Sequence, residues 1–268
     1  MPTIGVTGAH GLIGKRICEK LNAIPIPREW FEMVGPNLKF DTIIHCSAYG
    51  NHSQQTDEHE MFIANVLKTY YLLESAKISG VKNFIYIGTS SEYGKKTRPM
   101  NEEMTLDTDT MYGCTKVCGT FLTKRYSQFM NTVTVRPFSV YGEEEADWRF
   151  IPTIIRSLNN DIPLNLLNGY HDWIYIDDFV RGVQKVLENI DLLNGQTINI
   201  GTGRSFENME IVSLLESISG KICNLVVHPK KEQDSSVWQA DNRKLKALGW
   251  KQKVSMYEGL KRVYEYKT

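Results

Sequence analysis

The stretch "TGAHGLIG", Thr7 to Gly14, limits what this chain can fold into more than any other. It sets glycines at 8, 11 and 14 directly behind the β-rich run "TIGVT" (Thr3–Thr7). It also heads a run from Gly11 to Leu21 in which Leu12, Ile13, Ile17 and Leu21 recur at helical spacing. Glycine at such a turn permits a tight bend and lets a diphosphate approach the backbone. The helix that follows offers unpaired N–H groups and a partial positive charge to that anion. A glycine triplet alone marks only a turn needing φ > 0, but one set between a strand and a helix points to a bound dinucleotide.

The pattern continues as short β-rich runs alternating with longer helical ones. "DTIIHCSA" (Asp41–Ala48), "NFIYIGTS" (Asn83–Ser90) and "TVTVRPF" (Thr132–Phe138) read as strands. Between the first two lies a helix with Phe62, Val66, Tyr70, Leu73 and Ala76 near helical spacing, forming either a core face or a dimer seam. "AIPIP" is expected to be a poor strand because Pro25 and Pro27 lack donors. The alternation predicts an α/β fold, a doubly wound parallel sheet covered on both faces by helices. Residues 1–140 are expected to form a dinucleotide-binding domain. Residues 141–268 are expected to form mostly a smaller, interleaved lobe, with segments around 170–202 returning to the main domain.

The usual companion of the glycine loop is an acidic residue about 20 positions on, which binds ribose hydroxyls. Here that region reads "AIPIPREW" and presents Arg28. Arg28 is either a partner for a 2′-phosphate, which favours NADP over NAD, or a solvated loop residue. Only a dozen residues separate it from the strand at Asp41, too few for the usual crossover helix and strand, so the adenine end is expected to be abbreviated.

Charge excludes one class of partner. The chain carries 31 basic and 31 acidic side chains, so it lacks the basic field that nucleic-acid binding needs. No run of about 18 apolar residues predicts a membrane span, and the start resembles no signal peptide. Five cysteines without a Cys-x-x-Cys pair read as reduced, small apolar residues of a cytoplasmic protein. His52 and His59 do not fall on metal-ligand spacing and read as solvated or capping residues, so no metal is expected. "EEEAD" (Glu143–Asp147) reads as a mobile acidic loop.

The chemistry concentrates in "MYGCTKV", where Tyr112 and Lys116 stand four residues apart in a helical run. Such residues share a helix face, so an ammonium is expected near the phenol, drawing its pKa down from about 10. A phenol so tuned can shuttle a proton to and from an alcohol. The spacing alone is common, but "FIYIGTSSEYG" ends in Thr89, Ser90 and Ser91, hydroxyls at the carboxyl end of a strand, where ligands bind in such sheets.

These features together resemble the extended short-chain dehydrogenase/reductases, in their nucleotide-sugar epimerase/dehydratase branch. The resemblance runs from "TGAHGLIG" through "IANVLKTYYLLESAKISGVKNFIYIGTSSEYG", "MYGCTKV", "VRPFSVYG", "HDWIYIDDFVRGV" and "INIGTG" to "ADNRKLKALGW". It implies Tyr112 as acid/base, Thr89 as the hydroxyl that orients the sugar, and Lys116 as the residue that binds the nicotinamide ribose. Gly8, Gly11, Leu12, Ile13 and Gly14 match the diphosphate loop. Ser47, Ala48, Tyr49, Asn65, Gly88 and Pro137 match segments that flank the cofactor. Ser90, Ser91, Phe138, Ser139, His171 and Lys231 fall where the family meets its substrate.

The departures are informative too. His171 and Lys231 replace arginines that grip the nucleotide diphosphate, and lysine does not reproduce a bidentate fork. Ser139 stands where asparagine is frequent. Ser90 and Ser91 replace the Asp-Glu pair of similar 4,6-dehydratases, which argues against dehydration. The resemblance therefore implies a nucleotide-sugar 4-epimerase using NAD or NADP, with a 4-ketoreductase or a non-catalytic dinucleotide-binding regulator as alternatives. It also implies a homodimer through a helical bundle.

Overall fold

The structure, a computed structural model, describes residues 3–35, 38–52, 54–229 and 237–268. The first half runs β1 (Ile4–Thr7), α1 (Leu12–Leu21), β2 (Ile24–Pro25), β3 (Thr42–His45), α2 (Glu58–Phe62), α3 (Lys68–Ile78), β4 (Asn83–Ile87) and α4 (Met111–Arg125). It continues through β5 (Asn131–Pro137), β6 (Ser139–Tyr141), α5 (Phe150–Asn160), β7 (Leu164–Leu167), β8 (Tyr170–His171), β9 (Trp173–Tyr175) and α6 (Ile176–Glu188). The last elements are β10 (Gln196–Ile200), β11 (Phe206–Glu207), α7 (Asn208–Ser219), β12 (Leu225–His228), α8 (Arg243–Ala247) and α9 (Met256–Lys267).

Six parallel strands form the central sheet in the order β10-β5-β4-β3-β1-β2. The chain leaves β1 toward β2, then returns to add β3 on the other side. That reversal opens a crevice beyond the strand ends, where ligands of doubly wound sheets lie. Alternation along each strand feeds two cores. Phe84 and Tyr86 of β4 pack with Leu72, Leu73 and Ala76 of α3, while Ile85 and Ile87 pack with Ile17 of α1 and Val180 and Val183 of α6. Each Ile, Leu, Val or Phe among them contributes about 1.5–3 kcal/mol of burial. The doubly wound parallel sheet expected from the alternation is therefore what forms.

The stretch "AIPIP" yields only the two-residue strand β2, the poor strand its prolines predict. Pro25 lies in β2, the edge strand, where one side has no ladder to feed, so its missing donor costs nothing there. Ile26 N completes the join by donating to Val6 O at 2.7 Å. After a 3₁₀ turn over Arg28–Phe31, the described residues hold no further strand or helix before β3, and the sheet ends at β2.

The stripe that begins at Phe62 is also not one face. A π-helical turn at Ile63–Leu67 rotates the chain, so Leu73 and Ala76 are buried whereas Phe62 and Tyr70 are exposed. Cys114 and Cys118 lie exposed on α4, both as free thiols. Beyond β5 the chain builds three small two-stranded pairings, but β10 returns to the main sheet beside β5. Among the described residues no helix is long and apolar enough to cross a membrane.

Candidate active site

The glycine loop is built by close approach. Gly8 has φ +66°, and a Cβ there would lie 2.8 Å from Ser47 N. A Cβ on Gly14 would lie 2.2 Å from Gly8 O, so only glycine lets α1 sit down on the loop. Gly11 is different, because its Cβ would meet only Gly8 O, at an ordinary 3.5 Å. The protein leaves that side open, and α1 has no side-chain cap on its first N–H groups. Glycine at 11 and free N–H groups beside it fit a dinucleotide diphosphate.

Two adjoining cavities share this loop. One, of about 510 Å³, is lined by Gly8, Gly11, Arg28, Ser47 and the unforeseen Glu29. Arg28 is held by Glu32 at 3.2 Å, and Glu32 also pairs with Lys68 at 2.6 Å. The other is a cleft of about 1010 Å³ over the strand ends. It brings together Leu12, Ile13, Gly14, Ala48, Gly88, Thr89, Ser90, Ser91, Tyr112, Lys116, Pro137, Phe138, Ser139 and His171. Tyr49 and Asn65 stand behind this wall. Buried on the π turn, Asn65 receives Tyr49 N at 2.8 Å and donates to Tyr49 O at 2.7 Å and Thr115 Oγ1 at 3.0 Å. Lys231 lies outside the described residues.

Thr89 ends the extension of β4 and caps the 3₁₀ turn Ser90–Tyr93, its hydroxyl receiving Ser91 N at 3.2 Å. Tyr112 is the second residue of α4, which Thr110 caps by accepting from Gly113 N at 3.0 Å. Gly119 lets this helix lie against β4, since a Cβ there would be 2.1 Å from the Tyr86 hydroxyl. Lys116 reaches inward, donating to Ile87 O at 2.8 Å, with its ammonium 4.2 Å from the Tyr86 ring centroid. Burial pulls its pKa down to about 8, against the charge of Glu92.

The phenol does not behave as helical spacing predicts. Burial, and then the Glu92 carboxylate, push Tyr112 up to about 12, while Arg149 and a hydrogen bond with Thr89 pull the other way. The cation opposing these effects at the phenol is thus Arg149 on the cleft wall; the Lys116 ammonium is turned to the end of β4.

Several residues at and behind the cleft are not foreseen by the sequence. Glu92 is fully buried, and its Oε1 accepts Thr89 N at 2.9 Å. The Thr-x-x-Glu spacing of a capping box was the available signal. Trp238 donates to Ser90 Oγ at 3.1 Å and faces His171 across 6.1 Å between ring centroids. Segment 143–147 is pinned rather than a loose acidic loop. Glu143 pairs with Arg16 at 3.0 Å, Glu144 with Lys15 at 2.6 Å, and buried Glu145 with Arg149 at 3.0 Å. His52 receives Gln54 N, the expected local cap, but also lines the cleft against the Trp148 ring.

Comparison with known proteins agrees with this geometry. Residues 24–201 match the model of the NAD-dependent epimerase/dehydratase family. An uncharacterized UDP-glucose epimerase of Bacillus subtilis is 28% identical across 95% of this chain and 94% of its own length. A UDP-glucuronate 4-epimerase of Thermodesulfobacterium geofontis is 28% identical over 84% of this chain and 71% of its own length. The structure of UDP-glucuronic acid 4-epimerase from Bacillus cereus, in complex with UDP-glucuronic acid and NAD, superposes with a TM-score of 0.88 at 27% identity, covering 99% of this chain and 98% of that one. With the family model spanning most of the chain and the glycine loop, Thr89, Tyr112 and Lys116 opening on one cleft, this protein belongs to the NAD-dependent epimerase/dehydratase family.

Proposed function

We propose that this chain is a nucleotide-sugar 4-epimerase that works by reversible hydride transfer at sugar C4. One observation carries the reading: Thr89, Tyr112 and Lys116 line the same cleft as the glycine loop. A dinucleotide held by Gly8, Gly11 and Gly14 would supply the nicotinamide as reversible hydride acceptor. Tyr112 takes the proton of the C4 hydroxyl and gives it back to the keto oxygen after the sugar has turned over. Thr89 holds that oxygen in line, an orienting contribution. Lys116, anchored at the end of β4, meets the nicotinamide ribose. Ser90, Ser91, Ser139 and His171 receive the sugar and its diphosphate.

NAD is the cofactor this reading favours. Glu29 lines the adenosine end beside Arg28, and a carboxylate accepts ribose hydroxyls but repels a 2′-phosphate. Residues 141–268 supply most of the substrate lobe, with 170–202 contributing to the main domain. Exposed Phe62, Tyr70 and Phe121 on α2, α3 and α4 suit a homodimer built from these helices.

The test is incubation with NAD and, separately, UDP-glucuronic acid and UDP-glucose, followed by NMR at C4. A 4-epimer formed with no net cofactor reduction is the expected result. Stoichiometric NADPH consumption on 4-keto sugars, with no epimer, would assign the chain as a reductase instead.

A further inference from the structure

Glu92 is a fully buried charge beside the site, and the proposed chemistry does not use it. Its side chain has 0% exposure, and its partner Arg136 on β5 has 2%. Isolated carboxylates do not persist in such surroundings, so the contacts around this one bear on its purpose. Oε1 accepts Thr89 N at 2.9 Å. Oε2 accepts Arg136 Nε at 2.9 Å and Thr120 Oγ1 at 2.8 Å. Thr120 lies one turn beyond Lys116 on α4, and Arg136 directly precedes Pro137. One carboxylate thus ties together the backbone of Thr89, the helix of Tyr112 and Lys116, and the strand that delivers Pro137 to Ser139. The fit is close: Gly88 must be glycine, since a Cβ there would lie 2.3 Å from Glu92 Oε1.

We propose that Glu92 is a positioning residue for the Thr89–Tyr112–Lys116 site, which clamps its three elements together and holds a fixed negative charge at their junction. The proposal rests on the epimerase reading for its kinetic consequence, though not for its geometry. A buried carboxylate favours the protonated phenol, the form that returns a proton to a keto oxygen. The other groups bearing on this field come from every neighbouring element. Lys116 and Cys118 lie on α4 and Tyr86 on β4, Arg136 faces from β5, Cys46 lies just past β3, and Arg149 precedes α5. Of these, Glu92 acts against ionisation at both Tyr112 and Tyr86.

The experiment uses two variants of the NAD-loaded enzyme. Glu92→Gln alone would strand the Arg136 guanidinium in the core, so it is combined with Arg136→Gln, whose amide can meet the new one. Glu92→Asp keeps the charge but withdraws it by one methylene. With UDP-glucuronic acid as probe, the acid limb of kcat in E92Q/R136Q should move to lower pH by about half a unit or more, because the lost anion bears on the Tyr112 phenol and the Arg136 cation lost with it does not. Glu92→Asp should leave that limb in place and lower kcat by about tenfold or more at nearly unchanged KM. A limb that stays put in the folded double variant overturns the electrostatic role, and an unchanged kcat in Glu92→Asp overturns the clamp. The Tyr112 ring-carbon NMR signal, assigned with Tyr112→Phe, is titrated in parallel and needs no turnover. If wild type epimerises no sugar, the functional reading falls, while a Tyr112 signal titrating lower in E92Q/R136Q still supports the placement of Glu92 and an unmoved signal refutes it.

Discussion

Behind and around the cleft stand an inner wall and a rim of charged groups that use the same chemistry in opposite ways. At the strand ends, Glu92 and Arg136 are both almost wholly dry, and Thr89, Thr120 and Arg136 divide the carboxylate oxygens among them. At the rim, Glu143, Glu144 and Glu145 pair with Arg16, Lys15 and Arg149, whose side chains are 18%, 48% and 38% exposed. Removing one partner of a dry pair leaves an uncompensated buried charge, a cost of about 3–5 kcal/mol. A solvent-exposed pair such as Lys15–Glu144 contributes about 0–1 kcal/mol. The inner wall is therefore a scaffold, and the rim is a set of tethers holding residues 143–147 to α1 and α5.

The largest effect should come where that scaffold presents the phenol. Tyr112→Phe removes one oxygen and no packing, so kcat should fall by about two orders of magnitude or more while NAD still binds. Steady-state kinetics with UDP-glucuronic acid, alongside cofactor titration, measures both. Turnover near wild type would break the comparison at its root, because the inner wall would then present nothing reactive.

The glycine loop sharpens the contrast by separating fold from ligand. Gly14→Ala forces a Cβ to 2.2 Å from Gly8 O, so stability should drop by about 1–3 kcal/mol. Gly11→Ala meets nothing closer than 3.5 Å and should unfold at the wild-type temperature. Its methyl occupies the diphosphate side of the loop instead, so the Kd for NAD should rise about tenfold, roughly 1.4 kcal/mol. Equal losses of stability in the two variants would show that Gly11 serves the fold rather than the ligand.

The parts of the molecule that were legible in the chain are those whose causes are local. Glycines 8, 11 and 14 announce a backbone geometry within eight residues, and strand alternation announces two covered faces. What was missed depends on partners far along the chain. Glu92 meets Thr120 and Arg136, 28 and 44 positions on, and only its capping-box spacing to Thr89 was local. The acidic run looked loose because Lys15 and Arg16 stand 129 and 127 positions away from the carboxylates they hold. Helical spacing placed Lys116 on the face of Tyr112, but its long stem lets the Ile87 carbonyl decide where the ammonium goes.

Glu145 tests the rim at its driest point. Burial raises its carboxyl from 4.5 to about 7 despite Arg149. The folded protein then keeps a proton that the unfolded chain has released, so this residue's contribution to stability declines as pH climbs from about 4.5 to about 7, then levels. Glu145→Gln cannot titrate. The wild-type-minus-variant difference in unfolding free energy should fall by at most about 3 kcal/mol across that window. Urea denaturation at pH 5 and pH 7.5 reads it, and a difference that stays flat would mean the rim is wetter than its burial implies.

The smallest effects separate two rim cations that look alike on paper. Arg16 is 18% exposed and reaches Glu143 at 3.0 Å and Asp177 at 3.3 Å, joining α1 to both the 143–147 segment and α6. Lys15 is 48% exposed and holds Glu144 alone, at 2.6 Å. A short distance is poor evidence of strength when water competes for both ends, whereas a half-shielded guanidinium shared by two carboxylates loses real bonds on truncation. Arg16→Ala should therefore lower stability by about 1 kcal/mol, as loss of one or two charge-assisted hydrogen bonds does, and Lys15→Ala should leave the unfolding temperature where it was. Thermal scans at low and at 0.5 M salt distinguish them: if Lys15→Ala proves as costly as Arg16→Ala and the loss persists in salt, burial is not what grades the charges of this cleft.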